Sequence, residues 1–139
     1  MPADDTPLRP GAADNPPLPR RGPAPPVERM DNAELARLVE AEHPYRGKAL
    51  FELCDRVPRD DDAATKVAML SRLTSLRQAR LFDRVSLAWS AIIALLAAET
   101  QHARSAAYEA FGALDPQEQR DMLDYLEVST IEEAHPRIA

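Results

Sequence analysis

The sequence has little of what most catalytic and metal sites are built from. Of its 139 residues, one is a cysteine, Cys54, and four are glycines. A single cysteine can form no intramolecular disulfide and no thiolate zinc site, and it fits a reducing compartment. Neither a Gly-rich phosphate loop nor a Gly-x-Ser-x-Gly elbow occurs. We therefore expect no catalytic activity and no bound cofactor or metal.

Long apolar runs are missing as well. The longest uncharged run, residues 85–98, has 14 residues, whereas a membrane-spanning helix needs about 18 or more. Asp4 and Asp5 stand where a secretory signal would have its basic and apolar regions. Arginine outnumbers lysine 15 to 2, a bias typical of GC-rich bacterial genomes. These features predict a bacterial, cytoplasmic protein with no membrane partner.

Proline is abundant, but it is concentrated at one end. Residues 1–29 hold nine of the thirteen prolines and no aromatic residue. Such a segment cannot bury enough apolar surface to offset its chain entropy. We predict a disordered proline-rich tail over residues 1–29 and a single helical domain over 30–139. Residues 7–10 and 16–19 fit the PxxP spacing that aromatic-lined grooves bind, although a solubilising spacer is the simpler interpretation.

Beyond the tail, helix-start signals recur and period-two alternation does not. Asp31 with Glu34, and Asp115-Pro116 with Glu118, have the capping-box spacing. The sequence predicts an all-α fold, a compact bundle of six to seven short helices without a strand. In the third helix, the expected core residues are Val67, Met69, Leu70, Leu73 and Leu76, and the expected opposite face is Ala64, Ala68, Ser71 and Ser75.

The uncharged run predicts the central helix of this bundle, over about residues 84–98 with Asp83 as its cap. A helix that is apolar nearly all round must be buried nearly all round. Its second face carries small residues, including Ser90 and Ala94, which would let another helix approach closely. The pattern leaves open whether residues 84–113 form one helix or two.

Two Glu-x-x-His pairs are the candidates for chemistry. Glu99 with His102, and Glu132 with His135, have the spacing that lets one helix face grip a metal. Such a site also needs acids from other helices, and the central helix has none, so surface residues are the simpler interpretation. A metal-binding or enzymatic bundle centred on Glu99 and His102 remains an alternative. Cys54 lies in an apolar stripe, where we expect a buried thiol rather than a nucleophile.

Charge is unevenly distributed. The net charge of −6 argues against a general affinity for nucleic acid. A basic segment nevertheless spans residues 66–84, with Lys66, Arg72, Arg77, Arg80 and Arg84. This basic segment leaves a DNA-associated transcriptional regulator as an alternative function. We expect its arginines, however, to pair with the acidic residues of 99–139. The leading hypothesis is a non-catalytic interaction or regulatory module that binds another protein, reached by elimination of the other classes.

Overall fold

Seven α-helices pack around one hydrophobic core in the computed structural model, which describes residues 24–136. They are α1 Asn32–Glu40, α2 Arg46–Arg56, α3 Asp61–Leu70, α4 Thr74–Gln78, α5 Leu87–Ala98, α6 Gln101–Gly112 and α7 Pro116–Leu126. Single 3-10 turns lie at Val27–Arg29, Val57–Arg59 and Ile131–Glu133. The all-α bundle predicted from the sequence is confirmed.

The helix starts confirm the local signals. The Asp31 carboxylate accepts the backbone N–H of Glu34 at 2.8 Å, and the Glu34 carboxylate accepts the N–H of Asp31 at 2.9 Å. Asp115 caps α7 by accepting the N–H of Glu118 at 2.8 Å. The Glu118 side chain does not complete that capping box, because it bonds to other helices instead.

The prediction for the third helix is correct for Val67, Leu70 and Leu76, which are buried, and wrong for Met69, for the opposite face and for the length of the helix. It ends at Leu70, and a tight turn over residues 71–73 separates it from α4. The Ser71 hydroxyl, buried in this turn, donates to the Ala68 carbonyl at 2.6 Å. Ala64 and Ala68 are buried, whereas Met69 is 53% exposed. Helix α3 contacts four other helices, α1, α2, α5 and α6. Small side chains such as Ala64 and Ala68 permit these close contacts, which is why they are buried.

A short β-hairpin precedes the central helix, which corrects the prediction of a strand-free chain. Strand β1, Arg80–Phe82, pairs antiparallel with β2, Val85–Ser86. Asp83 lies in the connecting turn with a φ of 48° and does not cap the helix. Ser86 is the cap instead, and its hydroxyl accepts the N–H of Trp89 at 3.1 Å. The central helix therefore begins at Leu87, three residues later than expected.

The helix that follows is central, as predicted. Helix α5 packs against α2, α3, α4 and α6. The residues of α5 that are buried are Leu87, Ala88, Trp89, Ala91, Ile92, Ala94, Leu95 and Leu96. The open question about residues 84–113 resolves as two helices, because Glu99 adopts a left-handed φ of 57° and Thr100 caps α6.

The core also takes in part of the predicted tail. Val27 is 2% exposed, and its carbonyl accepts a hydrogen bond from the Arg56 guanidinium at 3.0 Å. Residues 1–23, which include both PxxP segments, lie outside the described residues. No helix within residues 24–136 has the length and apolar character needed to cross a bilayer.

Candidate docking groove

An apolar groove of about 460 Å³ opens beside α5, with α2 on one wall and α7 on another. The β-hairpin and the segment after α7 contribute to its rim. Its lining residues are Phe51, Cys54, Asp55, Phe82, Val85, Ser90, Ile93, Ala94, Tyr125, Leu126 and Pro136. Apolar atoms dominate this surface, and Asp55 is its one ionised group at neutral pH.

Two phenylalanines stand exposed on the groove walls. Phe51 is 41% exposed and Phe82 is 55% exposed. Phe51 lies beside the buried stripe of α2, which consists of Ala49, Leu50 and Leu53, and so it projects past the core. Phe82 belongs to β1, whose three residues are all exposed. Fully burying an exposed phenylalanine is worth roughly 1.5–3 kcal/mol, so these half-exposed rings forgo about half of that burial free energy.

The floor of the groove is a side of α5 that residues 24–136 leave partly open. Ser90 and Ile93 are half-buried, whereas their neighbours Ile92 and Leu95 are fully buried. The Ser90 hydroxyl donates to the Leu87 carbonyl at 2.7 Å. The donor of this hydroxyl is therefore used within the helix, and the rest of the floor, Ile93 and Ala94, presents an apolar surface to a ligand.

The rim combines an aromatic ring with charges. The Arg84 guanidinium lies 5.6 Å from the centroid of the Tyr125 ring and pairs with Asp124 at 2.9 Å. The Tyr125 ring lies 6.0 Å from Trp89, which holds it against α5. On the other wall, the exposed Asp55 carboxylate forms no ion pair with any residue in 24–136.

Cys54 lines the groove without the character of a nucleophile. Burial, with a smaller contribution from the charge of Asp55, raises the pKa of its thiol to about 12. A thiol with this pKa stays protonated at neutral pH and reacts slowly. His43, the histidine nearest to Cys54 in the sequence, accepts the backbone N–H of Tyr45 through Nδ1 at 3.0 Å.

The two Glu-x-x-His pairs are not assembled as a metal site would need. Because Glu99 has left-handed backbone geometry at the end of α5, it shares no helix face with His102. Instead, Glu99 lies 3.4 Å from His135, and His102 Nε2 lies 2.9 Å from the Thr65 hydroxyl. Across residues 24–136, no three His, Cys, Asp or Glu side chains converge as metal ligands.

The basic segment is largely occupied by the protein's own acids. Arg77 donates to Glu118 at 2.6 Å and lies 3.5 Å from Asp115. Glu118 also accepts the Trp89 indole N–H at 2.9 Å, so one carboxylate joins α4, α5 and α7.

The remaining cations of this segment do not share one surface. Arg84 pairs with Asp124 of α7, as expected for the acidic C-terminal third, and Lys66 pairs with Asp62 at 3.1 Å. Arg80 donates to the Asp83 carbonyl in its own hairpin at 2.9 Å. Arg72 lines a smaller and more polar pocket of about 370 Å³ between α3 and α6.

Sequence reasoning missed the groove, although two signals for it were present. Phe51 falls outside the apolar stripe of α2, and Phe82 lies between Leu81 and Asp83 where the helical pattern loses its phase, so each is an aromatic residue without a predicted core partner. The small residues of the second face of α5 were expected to admit another helix; at Ser90 and Ala94 they border open space instead.

No family model matches this chain, and no curated protein or solved structure is significantly similar to it.

Proposed function

We propose that this domain is a non-catalytic interaction or regulatory module of a bacterial cytoplasm, and that its groove binds an apolar segment of another protein. The observation that carries the proposal is the pairing of two exposed phenylalanines, Phe51 and Phe82, with the uncovered side of a charge-free helix. Aromatic side chains are enriched in protein interfaces, and binding hot spots cluster in well-packed pockets from which water is excluded.

The physical argument rests on the incomplete burial of α5. Removing the apolar side chains of an uncharged helix from water lowers the free energy, and most of the surface of α5 is already packed. A ligand that covers Ile93 and the two rings would remove the remaining apolar surface from water. Exposed patches with a polar rim commonly mark protein interaction sites.

The alternatives have less support. A DNA-binding surface needs unpaired cations on one face, and Arg77 and Arg84 are engaged with the acids of α7. A metal or enzymatic site at Glu99 and His102 would need further ligands close to both side chains. The groove requires no such rearrangement.

A matched pair of variants on one strand tests the proposal. Phe82 lines the groove, whereas its neighbour Leu81, 39% exposed, does not. A partner is first captured from the native host with the full chain, then purified and titrated by calorimetry against the wild type, Phe82→Ser and Leu81→Ser. We expect Phe82→Ser to weaken binding by about tenfold or more, the scale of a hot-spot residue.

Folding of both variants is checked by urea denaturation. Each replaces a side chain that is already partly exposed, so the loss of stability should be about 1 kcal/mol and similar in the two variants. Unchanged affinity of Phe82→Ser, or an equal loss in Leu81→Ser, would overturn the assignment of the groove as the binding surface.

A further inference from the structure

We propose that the segment Pro16–Arg21 of this same chain docks reversibly in the groove, so that a partner must displace it. The inference rests on the proposed function in that both use one groove. It adds a built-in competitor with the sequence Pro-Pro-Leu-Pro-Arg-Arg.

The first argument is the fit between an aromatic-walled groove and a polyproline segment. Such segments are extended before they bind, so that aromatic grooves bind them at a low cost in chain entropy. The walls formed by Phe51, Phe82 and Tyr125 offer flat apolar faces of this kind. Four residues in a polyproline-II conformation span about 12 Å.

The second argument is charge. Arg20 and Arg21 directly follow Pro19, and Asp55 offers a carboxylate without an ion-pair partner among residues 24–136. An arginine beside the apolar segment can bind this carboxylate through two parallel hydrogen bonds. The Tyr125 hydroxyl, which hydrogen-bonds to no other residue of the described range, is a donor available to a peptide carbonyl.

The third argument is reach. The described chain begins at Ala24, and Val27 is fastened to Arg56, which adjoins Asp55 in α2. Pro16 and Arg20 precede Ala24 by eight and four residues, which corresponds to about 25 Å and 12 Å of extended chain. Passing from one side of α2 to its groove side crosses roughly one helix width of 10–12 Å. The tether also makes the effective concentration of the segment about millimolar, which favours docking within one chain over docking between copies.

The experiment places a nitroxide near the segment in the full chain. Ala13→Cys is labelled in a Cys54→Ala background, so that it carries the one thiol of the chain, and mass spectrometry checks for a single label. Paramagnetic relaxation is then measured at the methyl groups of Ile93 and Leu126, with Met69 and Ala106, outside the groove, as references.

We expect enhanced relaxation at Ile93 and Leu126 above that at the reference methyls. The enhancement should fall to the reference level when the three prolines of the segment are replaced by alanine (Pro16→Ala, Pro17→Ala and Pro19→Ala). Loss of the enhancement on adding an excess of the unlabelled peptide of residues 14–23 would support direct occupancy of the groove.

Two results would overturn the proposal. Enhancement of the same size in a mixture of spin-labelled chains without isotope label and isotope-labelled chains without spin label would assign the segment to a second copy. Equal relaxation at groove and reference methyls would mean that the segment does not dock. Neither result touches partner binding, because the calorimetric comparison of Phe82→Ser with Leu81→Ser tests the groove independently of the tail.

Discussion

Two adjacent isoleucines of α5 provide a stringent test of how the central helix is buried. Ile92 is fully buried among the surrounding helices, and Ile93 is half-buried on the floor of the groove. Replacing each by alanine removes the same atoms from adjacent positions of the same helix. Any difference in the cost therefore reports the environment and not the chemistry of the change.

The expected magnitudes follow from burial. Ile92→Ala leaves a cavity between packed helices, for which the loss is about 2–5 kcal/mol, and we expect about 3 kcal/mol. Ile93→Ala removes atoms that already touch water on one side, so we expect about 1 kcal/mol. The higher helix propensity of alanine offsets up to about 0.7 kcal/mol in both variants alike.

Urea denaturation of the full chain measures both losses. The midpoint should shift markedly for Ile92→Ala and slightly for Ile93→Ala, and the slope should stay constant if both proteins unfold from equally compact native states. Equal shifts would refute the reasoning, since they would mean that the groove is closed over Ile93 by the bundle itself.

Three further predictions concern charged and titratable groups. Arg77→Ala should lower the free energy of unfolding by about 1–3 kcal/mol, because it removes the cation from the mostly buried Glu118 carboxylate. Arg84→Ala removes an exposed ion pair and should lower it by less than about 1 kcal/mol. Urea denaturation compares the two variants. Asn32→Ala should destabilise the protein at neutral pH and progressively less in acid, because the hydrogen bond from Asn32, together with backbone N–H groups, lowers the pKa of the Asp60 carboxyl from 3.8. This stabilisation is present above pH 3.8 and is lost as the pH falls through the lowered pKa of the folded state. A stability difference between wild type and variant that stays constant in acid would contradict this. Because the pKa of Cys54 is raised from 9.0 to about 12, stability should fall as the pH rises above 9.0, and a thiol reagent at pH 8 should react quickly only with the urea-unfolded chain; fast reaction of the folded chain would contradict the raised pKa.

Local signals in the sequence were sufficient for the helix starts and for the central helix. Asp31 and Asp115 cap their helices through side chains only three residues away, so their roles depend on short-range geometry alone. The uncharged run over residues 85–98 predicted the central helix for a similar reason, because a helix that is apolar nearly all round is stable mainly when it is buried in a core. The pairing of Arg84 with the acidic C-terminal third followed from net charge.

Features that depend on how helices meet were beyond such reasoning. Ala68 is buried and Met69 exposed because close helix contacts select the small side chain, which no periodicity shows. Glu118 has the spacing of a capping box, yet it bonds Arg77 and Trp89 from two other helices.

The groove depends on tertiary structure in the same way. Phe51 and Phe82 are 31 residues apart in the sequence, and only the packing of α2 against α5 brings the two rings to one surface. The sequence shows two aromatic residues without a predicted core partner, but nothing in it indicates that the two rings lie on one surface.

Intermolecular NOEs to the labelled full chain, in complex with the captured partner, test the central claim most directly. The account predicts contacts from the partner to the Ile93 methyl group and to the Phe82 ring, and none to Ile92. Contacts confined to Met69 and Arg72, in the pocket between α3 and α6, would contradict it.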